Sequence, residues 1–168
     1  MLEFARVLGY EGGRSTLGHY QRQAVEIIDK SDGTPVTIAD RNAEQIMRKM
    51  IEEKYPDHGI HGEEFGIKDP QNGCSYQWFL DPIDGTKSFI HGVPFYTTLI
   101  GLIRGGNEYV VGVIDAPALG EQVSAADGLG CSVNGRPTRV SDKSELKRSV
   151  VLPTDPRRLY NKSPHDGW

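Results

Sequence analysis

The stretch Trp78-Phe-Leu-Asp81-Pro-Ile-Asp84-Gly85-Thr86 constrains this chain more than any other: an apolar run ends abruptly in two carboxylates, a glycine and a hydroxyl. Trp78, Phe79 and Leu80 have the character of a buried strand. Pro82 lacks a backbone donor and is expected to end the ladder, while Gly85 lets the main chain approach a ligand closely. A fold that buries this strand delivers Asp81 and Asp84 to one mouth. That is the layout of a metal and phosphate site.

The rest of the chain has to supply the burial. Its 168 residues fit one domain, and a domain of that size buries roughly 70% of the surface its unfolded chain exposes. With 37% hydrophobic and 25% charged residues the composition is that of a globular protein, and 20 glycines with 10 prolines point to many turns. A net charge of −4, with basic residues scattered along the chain, offers no footprint for nucleic acid. Cys74 and Cys131 stand far apart without a C-x-x-C partner, which predicts reduced thiols rather than a disulfide or zinc framework. No apolar run reaches the ~18 residues of a membrane span, and the N-terminus lacks the order of a secretion signal, so the expected location is cytoplasmic.

Tyr20, Ala24, Ile27 and Ile28 recur at helical spacing after Leu17 and predict an amphipathic first helix. Gly9, Gly12 and Gly13 weaken the segment before it, leaving open whether one helix starts at Leu2 or two pieces meet near Gly12. Residues 30–37 are turn chemistry, and Thr37-x-x-Asp40 has the spacing of a capping signal for a second helix. That helix buries Ala43, Ile46, Met47, Met50 and Ile51 and stops at Pro56, with Asp40 a fixed anion in its first turn. Residues 67–73 read as an exposed loop beside the site, a possible flap. Strand-like runs at 97–103 and 108–114 joined by 104–107 predict a hairpin, continued by 121–125 and 130–133, with a last short strand at 149–152. Two helices followed by antiparallel strands make a layered α+β fold.

Asp40, Glu63 with Glu64, Asp81 with Asp84, and Thr86 offer the hard oxygen ligands that magnesium takes, with the Ile83 carbonyl between the two aspartates. Each piece alone is ordinary turn or surface chemistry, and only their joint occurrence points to a site. Backbone N–H groups around Gly85, Thr86 and Lys87 at a turn or helix start suit a phosphate. Hydrolysis of a phosphate monoester needs up to ~10²¹-fold acceleration, which two metal ions about 3.5–4 Å apart can supply. His61 and His91 are isolated and receive no role.

These residues resemble the inositol monophosphatase-like, magnesium-dependent phosphatases. Residues 30–40 resemble the family's mobile loop and base aspartate, Gly62-Glu-Glu64 its metal glutamate, Asp81-Pro-Ile-Asp-Gly-Thr86 its signature, and residues 128–135 its later glycine-asparagine turn. The resemblance implies the front portion of an αβαβα sandwich. Glu63, Asp81, the Ile83 carbonyl and Asp84 would hold metal, two or three Mg²⁺ ions being bound in the complete protein. Asp40 and Thr86 would orient the attacking water, and the Gly85 and Thr86 N–H groups would hold phosphate. Asp84-Gly-Thr-Lys-Ser-Phe-Ile-His-Gly-Val-Pro94 is most similar to the histidinol-phosphate phosphatase branch, Lys87 tipping the choice. The implied substrate is a small phosphorylated metabolite, histidinol phosphate first, with inositol monophosphate and a nucleotide 3′-phosphate as alternatives. A homodimer is implied by resemblance alone.

Members of the family continue into a second α/β layer with a Trp-Asp-x-Ala motif whose aspartate completes the second metal site. This chain carries only Asp166-Gly-Trp168. Residues 1–153 are therefore expected to form the layer with the metal and phosphate motifs, and 154–168 a polar tail that starts the missing layer. Such a front portion, fragment or truncated product, is expected to expose an apolar face, bind one magnesium and turn over poorly. The contrasting class is an inactive metal-binding module, against which the joint presence of Asp40, Glu63 and Thr86 argues.

Overall fold

The computed structural model describes residues 1–22, 27–29 and 35–150. Helix α1 spans Leu2–Leu17 and α2 spans Ile38–Lys54. Both pack on one face of an eight-stranded sheet, in which β3 (Gly59–Gly62), β4 (Gly66–Lys68), β5 (Tyr76–Asp84), β6 (Thr97–Arg104), β7 (Glu108–Ala116), β8 (Glu121–Ala126), β9 (Gly130–Val133) and β10 (Arg136–Thr138) lie in the order β10-β9-β8-β7-β6-β5-β3-β4. A separate antiparallel pair joins β1 (Ile27–Asp29) to β2 (Pro35–Thr37). The layered α+β arrangement is thus the one the sequence predicts. Every neighbour in the large sheet is antiparallel except β3 and β5, which run parallel.

The first helix lies upstream of its predicted position. It runs through Gly9, Gly12 and Gly13 and ends at Leu17; Tyr20 lies in the following turn, Ile27 and Ile28 in β1, and Ala24 outside the described residues. Close packing outweighs the propensity cost of the glycines. A Cβ at Gly12 would stand 2.8 Å from the Met47 sulfur, and one at Gly13 2.3 Å from an Asp115 carboxylate oxygen. Glycine here brings α1 down onto α2 and β7.

The second helix follows the prediction closely. Thr37 accepts from the Ala39 N–H at 3.2 Å and Asp40 accepts from the Thr37 N–H at 2.8 Å, a reciprocal capping box. Ala43, Met47 and Ile51 are buried, whereas Ile46 is exposed and Glu44 takes a buried place on the helix. The principal core joins Ala5, Leu8, Met47 and Ile51 to Ile60, Trp78, Leu80, Ile100, Leu102, Val111 and Val113 of the sheet.

Pro82 does not end β5. The strand continues to Asp84 through a register irregularity between Asp81 and Asp84, where the missing N–H of proline is tolerated, and the Thr98 hydroxyl donates to the Pro82 carbonyl at 2.8 Å. Within the predicted 67–73 loop, Ile67 and Lys68 belong to edge strand β4, paired to β3, so that part is not a flap. The β6–β7 hairpin and the β8–β9 continuation form as expected, and Asn134-Gly135, both at positive φ, close the β9–β10 hairpin. Ser149 and Val150 are not in a strand; a 3₁₀ turn at Leu146–Arg148 precedes them, and residues 151–168, with the predicted tail, lie outside the described residues. Both cysteines are unpaired, and among the described residues no helix is long and apolar enough to cross a membrane.

Candidate active site

The topology explains why distant acidic residues meet. β3 and β5 are parallel and in register, Gly62 opposite Leu80, so the residues that follow, Glu63 in the turn after β3 and Asp81 within β5, come together at the same end of the sheet. The Glu63 N–H donates to the Leu80 carbonyl at 3.2 Å and fixes that alignment. Helix α2 returns to β3 through a short connection, so the N-terminus of α2, with Asp40, lies at the end of β3 where Glu63 emerges. Gly85 then turns the chain at φ +90° into the short helix α3 (Thr86–Ile90).

A small second core holds these segments together. Ala39 beside Asp40, Ile83 between the two aspartates, Phe89 of α3 and Tyr96 are all buried against one another, with Tyr20 packed alongside. The Tyr20 hydroxyl donates to the Gly92 carbonyl at 2.7 Å, and those of Tyr96 and Thr16 are 3.1 Å apart. Side chains that carry no chemistry thus place the three segments that do.

The electrostatics are those of crowded carboxylates. Asp81 is pushed up to about 8, first by burial, then by the charge of Glu63, a side-chain hydrogen bond with Glu63, and the charges of Asp84 and Asp40. Its Oδ1 is buried without a hydrogen-bond partner. Burial also raises Asp40, opposed by the N–H and hydroxyl of Thr37, which both donate to its Oδ2, at 2.8 and 2.6 Å. An orphaned carboxylate oxygen among like charges is what a cation relieves, and an all-oxygen donor set fits a hard divalent ion. Among the described residues no three His, Cys, Asp or Glu side chains already close a ligand shell, so the fit rests on charge and donor chemistry.

The remaining predicted residues fall around this cluster. The Ile83 side chain is buried, and its carbonyl accepts from the Thr86 hydroxyl at 3.1 Å. Asp84 and Lys87 are exposed, and Gly85 lies against the Phe95 carbonyl, 3.1 Å from where a Cβ would stand. The Asp40 carboxylate is held by Thr37, and the Thr86 hydroxyl by the Ile83 carbonyl. The His61 ring lies tilted against Phe79, and Nδ1 of His91 lies 2.7 Å from the Lys87 carbonyl.

One acidic residue was missed. Glu44 is completely buried on α2 and accepts from Arg48 Nε at 2.7 Å, from the Glu64 N–H at 2.7 Å and from the Phe65 N–H at 3.1 Å. In sequence, Glu44 and Arg48 read as an ordinary exposed i,i+4 pair. The signal against that was its spacing: Glu44 stands three residues before Met47 and seven before Ile51, on the apolar stripe.

Comparison with known proteins gives the family. The model of the inositol monophosphatase family matches residues 1–164. The chain belongs to that family. A histidinol-phosphatase of Chlorobaculum parvum is 44% identical over 161 residues, covering 95% of this chain and 61% of the relative. A fructose-1,6-bisphosphatase/inositol-1-monophosphatase of Aquifex aeolicus is 33% identical over 160 residues, 94% of this chain and 59% of the relative. The solved structure of a Thermotoga maritima IMPase superposes with a TM-score of 0.78 at 31% identity, over 85% of this chain and 54% of that one. The chain therefore spans about three fifths of the length of these two curated relatives.

Proposed function

We propose that this chain is the front portion of a Mg²⁺-dependent phosphomonoesterase whose substrate is histidinol phosphate. The observation that carries the reading is the cluster of Asp40, Glu63, Asp81 and Asp84 at one end of the sheet, with an orphaned oxygen on Asp81. The 44% identity to a protein named histidinol-phosphatase supports the choice of substrate.

Glu63, Asp81, Asp84 and the Ile83 carbonyl would hold the ions. When bound, the ions supply positive charge that neutralises the phosphoryl oxygens and makes water acidic enough to attack. The protein's own groups do the positioning. Asp40, anchored by Thr37, accepts a proton from the attacking water. Thr86, tied to the Ile83 carbonyl, fixes the start of α3 against the ligand-bearing bulge. Gly85 and Thr86 stand at the start of α3 and would offer their backbone N–H groups to phosphate oxygens, while exposed Lys87 offers a cation to the rest of the substrate.

The experiment is phosphate release by the protein from its complete reading frame, with and without Mg²⁺, on histidinol phosphate, inositol 1-phosphate and a nucleoside 3′-phosphate. A preference for histidinol phosphate that disappears on chelation is expected. Equal or better turnover of the other two would overturn the substrate, and chelator-insensitive turnover would overturn the metal. Inositol 1-phosphate is the second reading, favoured by the Aquifex relative.

A further inference from the structure

We propose that Glu44, locked by Arg48, is the positioning residue for Glu63: it holds the 62–66 turn so that the Glu63 carboxylate faces Asp81. This rests on the phosphatase reading above.

A fully buried carboxylate is costly unless its charge is matched. Glu44 meets that cost within one turn. Its Oε2 receives the Glu64 N–H, and its Oε1 receives both the Phe65 N–H and Arg48 Nε. The other arm of the Arg48 guanidinium donates to the Gly66 carbonyl, while its charge and that of Arg41 lie over the Phe65 ring, at 6.0 and 5.3 Å. Every residue of the turn on the C-terminal side of Glu63 is thus tied to α2, and on the other side the Glu63 N–H is tied to β5.

The turn is cut to fit this carboxylate. A Cβ at Gly62 would lie 1.9 Å from Glu44 Oε1 and 2.8 Å from Arg48 Nη2, so only glycine at 62 lets Glu44 reach the backbone. An apolar residue at 44 would fill the same place but leave the part-buried Glu64 and Phe65 N–H groups without their acceptor. The fixed anion does more than pack. It sets the path of the chain immediately after Glu63, the residue whose side chain bonds Asp81.

The test is Glu44→Gln in the protein from its complete reading frame, titrated with Mn²⁺ by electron paramagnetic resonance, with amide exchange at residues 64 and 65 and thermal stability measured beside it. Mn²⁺ affinity is expected to fall by about 10–100-fold. Exchange at both amides should accelerate, and turnover should recover largely when metal is raised, so that the loss appears in metal affinity more than in kcat. A variant that melts earlier yet binds Mn²⁺ as the unsubstituted protein does would show a merely structural staple and overturn the assignment. Should Glu44→Gln fail to fold, Glu44→Asp and Arg48→Lys are read the same way, and unchanged Mn²⁺ affinity in both overturns it. Absence of Mn²⁺ binding by the unsubstituted protein overturns the metal site itself, a result distinct from a bound metal indifferent to residue 44.

Discussion

Asp81 and Asp84 stand three residues apart and meet different surroundings, one half-buried with an orphaned oxygen and one exposed. The exposed member tolerates substitution structurally, so its replacement isolates function. Asp84→Asn should leave the melting temperature nearly unchanged and lower phosphate release by at least about 100-fold, read as kcat/KM on the protein from its complete reading frame. His58 shows the opposite case, a titratable group with a purely structural task. It is buried between Tyr55 and Tyr76, and its Nδ1 accepts the Trp78 indole N–H at 3.0 Å, which needs a neutral ring. Burial lowers its pKa, partly offset by Asp57. A folded value below the unfolded value of about 6.5 means that the folded state binds fewer protons. The stabilisation is complete above that pH and is lost as pH falls through the folded value. Denaturant midpoints should therefore decline from pH 7.5 to 5 in the native protein, and less steeply in His58→Phe.

At the level of elements, α1 and α2 illustrate two ways in which local preference and tertiary need interact. In α2 they agree: the Thr37 cap that starts the helix also holds Asp40 in the site. Thr37→Val should cost about 1 kcal/mol of stability by loss of the cap, measured by urea unfolding, and should lower turnover beyond what that loss explains. In α1 they conflict. Gly13→Ala ought to gain helix propensity, yet its Cβ would strike the Asp115 carboxylate and come within 3.2 Å of Pro117. We expect a net destabilisation of about 1–3 kcal/mol by the same measurement. This conflict is why spacing alone puts the first helix after Leu17: glycine spacing reports helix weakness, and only the partner surfaces reveal close approach. The α2 stripe was legible because Ala43, Met47 and Ile51 follow the helical period. Glu44 was not, because a buried carboxylate looks like a solvated one until its backbone donors are folded against it.

Among the described residues the large sheet is covered by helices on one face only. Helices α1 and α2 shield the side that carries Trp78, Leu80, Ile100 and Leu102. On the other side Phe79, Leu99, Tyr109, Ile114, Val123 and Ala125 line an open groove that ends at Glu63 and Asp81. Tyr109 and Ile114 are 71% and 46% exposed there, an apolar surface of the kind that monomers seldom leave to water. The 168-residue chain expressed alone should accordingly enhance the fluorescence of anilinonaphthalene sulfonate, and Tyr109→Lys with Ile114→Lys should reduce that enhancement without lowering the melting temperature. An unchanged dye signal in the double variant would place the binding surface elsewhere.

By itself the sequence determined the acidic motifs, the helix cap at Thr37, the hairpins and the layered α+β class, because each rests on local spacing and turn chemistry. The tertiary structure alone decided that β5 runs on through Pro82, that α1 begins at Leu2, and that Glu44 grips the turn beside Glu63. It also decided the convergence itself. Asp40, Glu63 and Asp81 are separated by loops whose lengths say little. They meet because β3 lies parallel and in register beside β5, and because α2 begins where β3 ends.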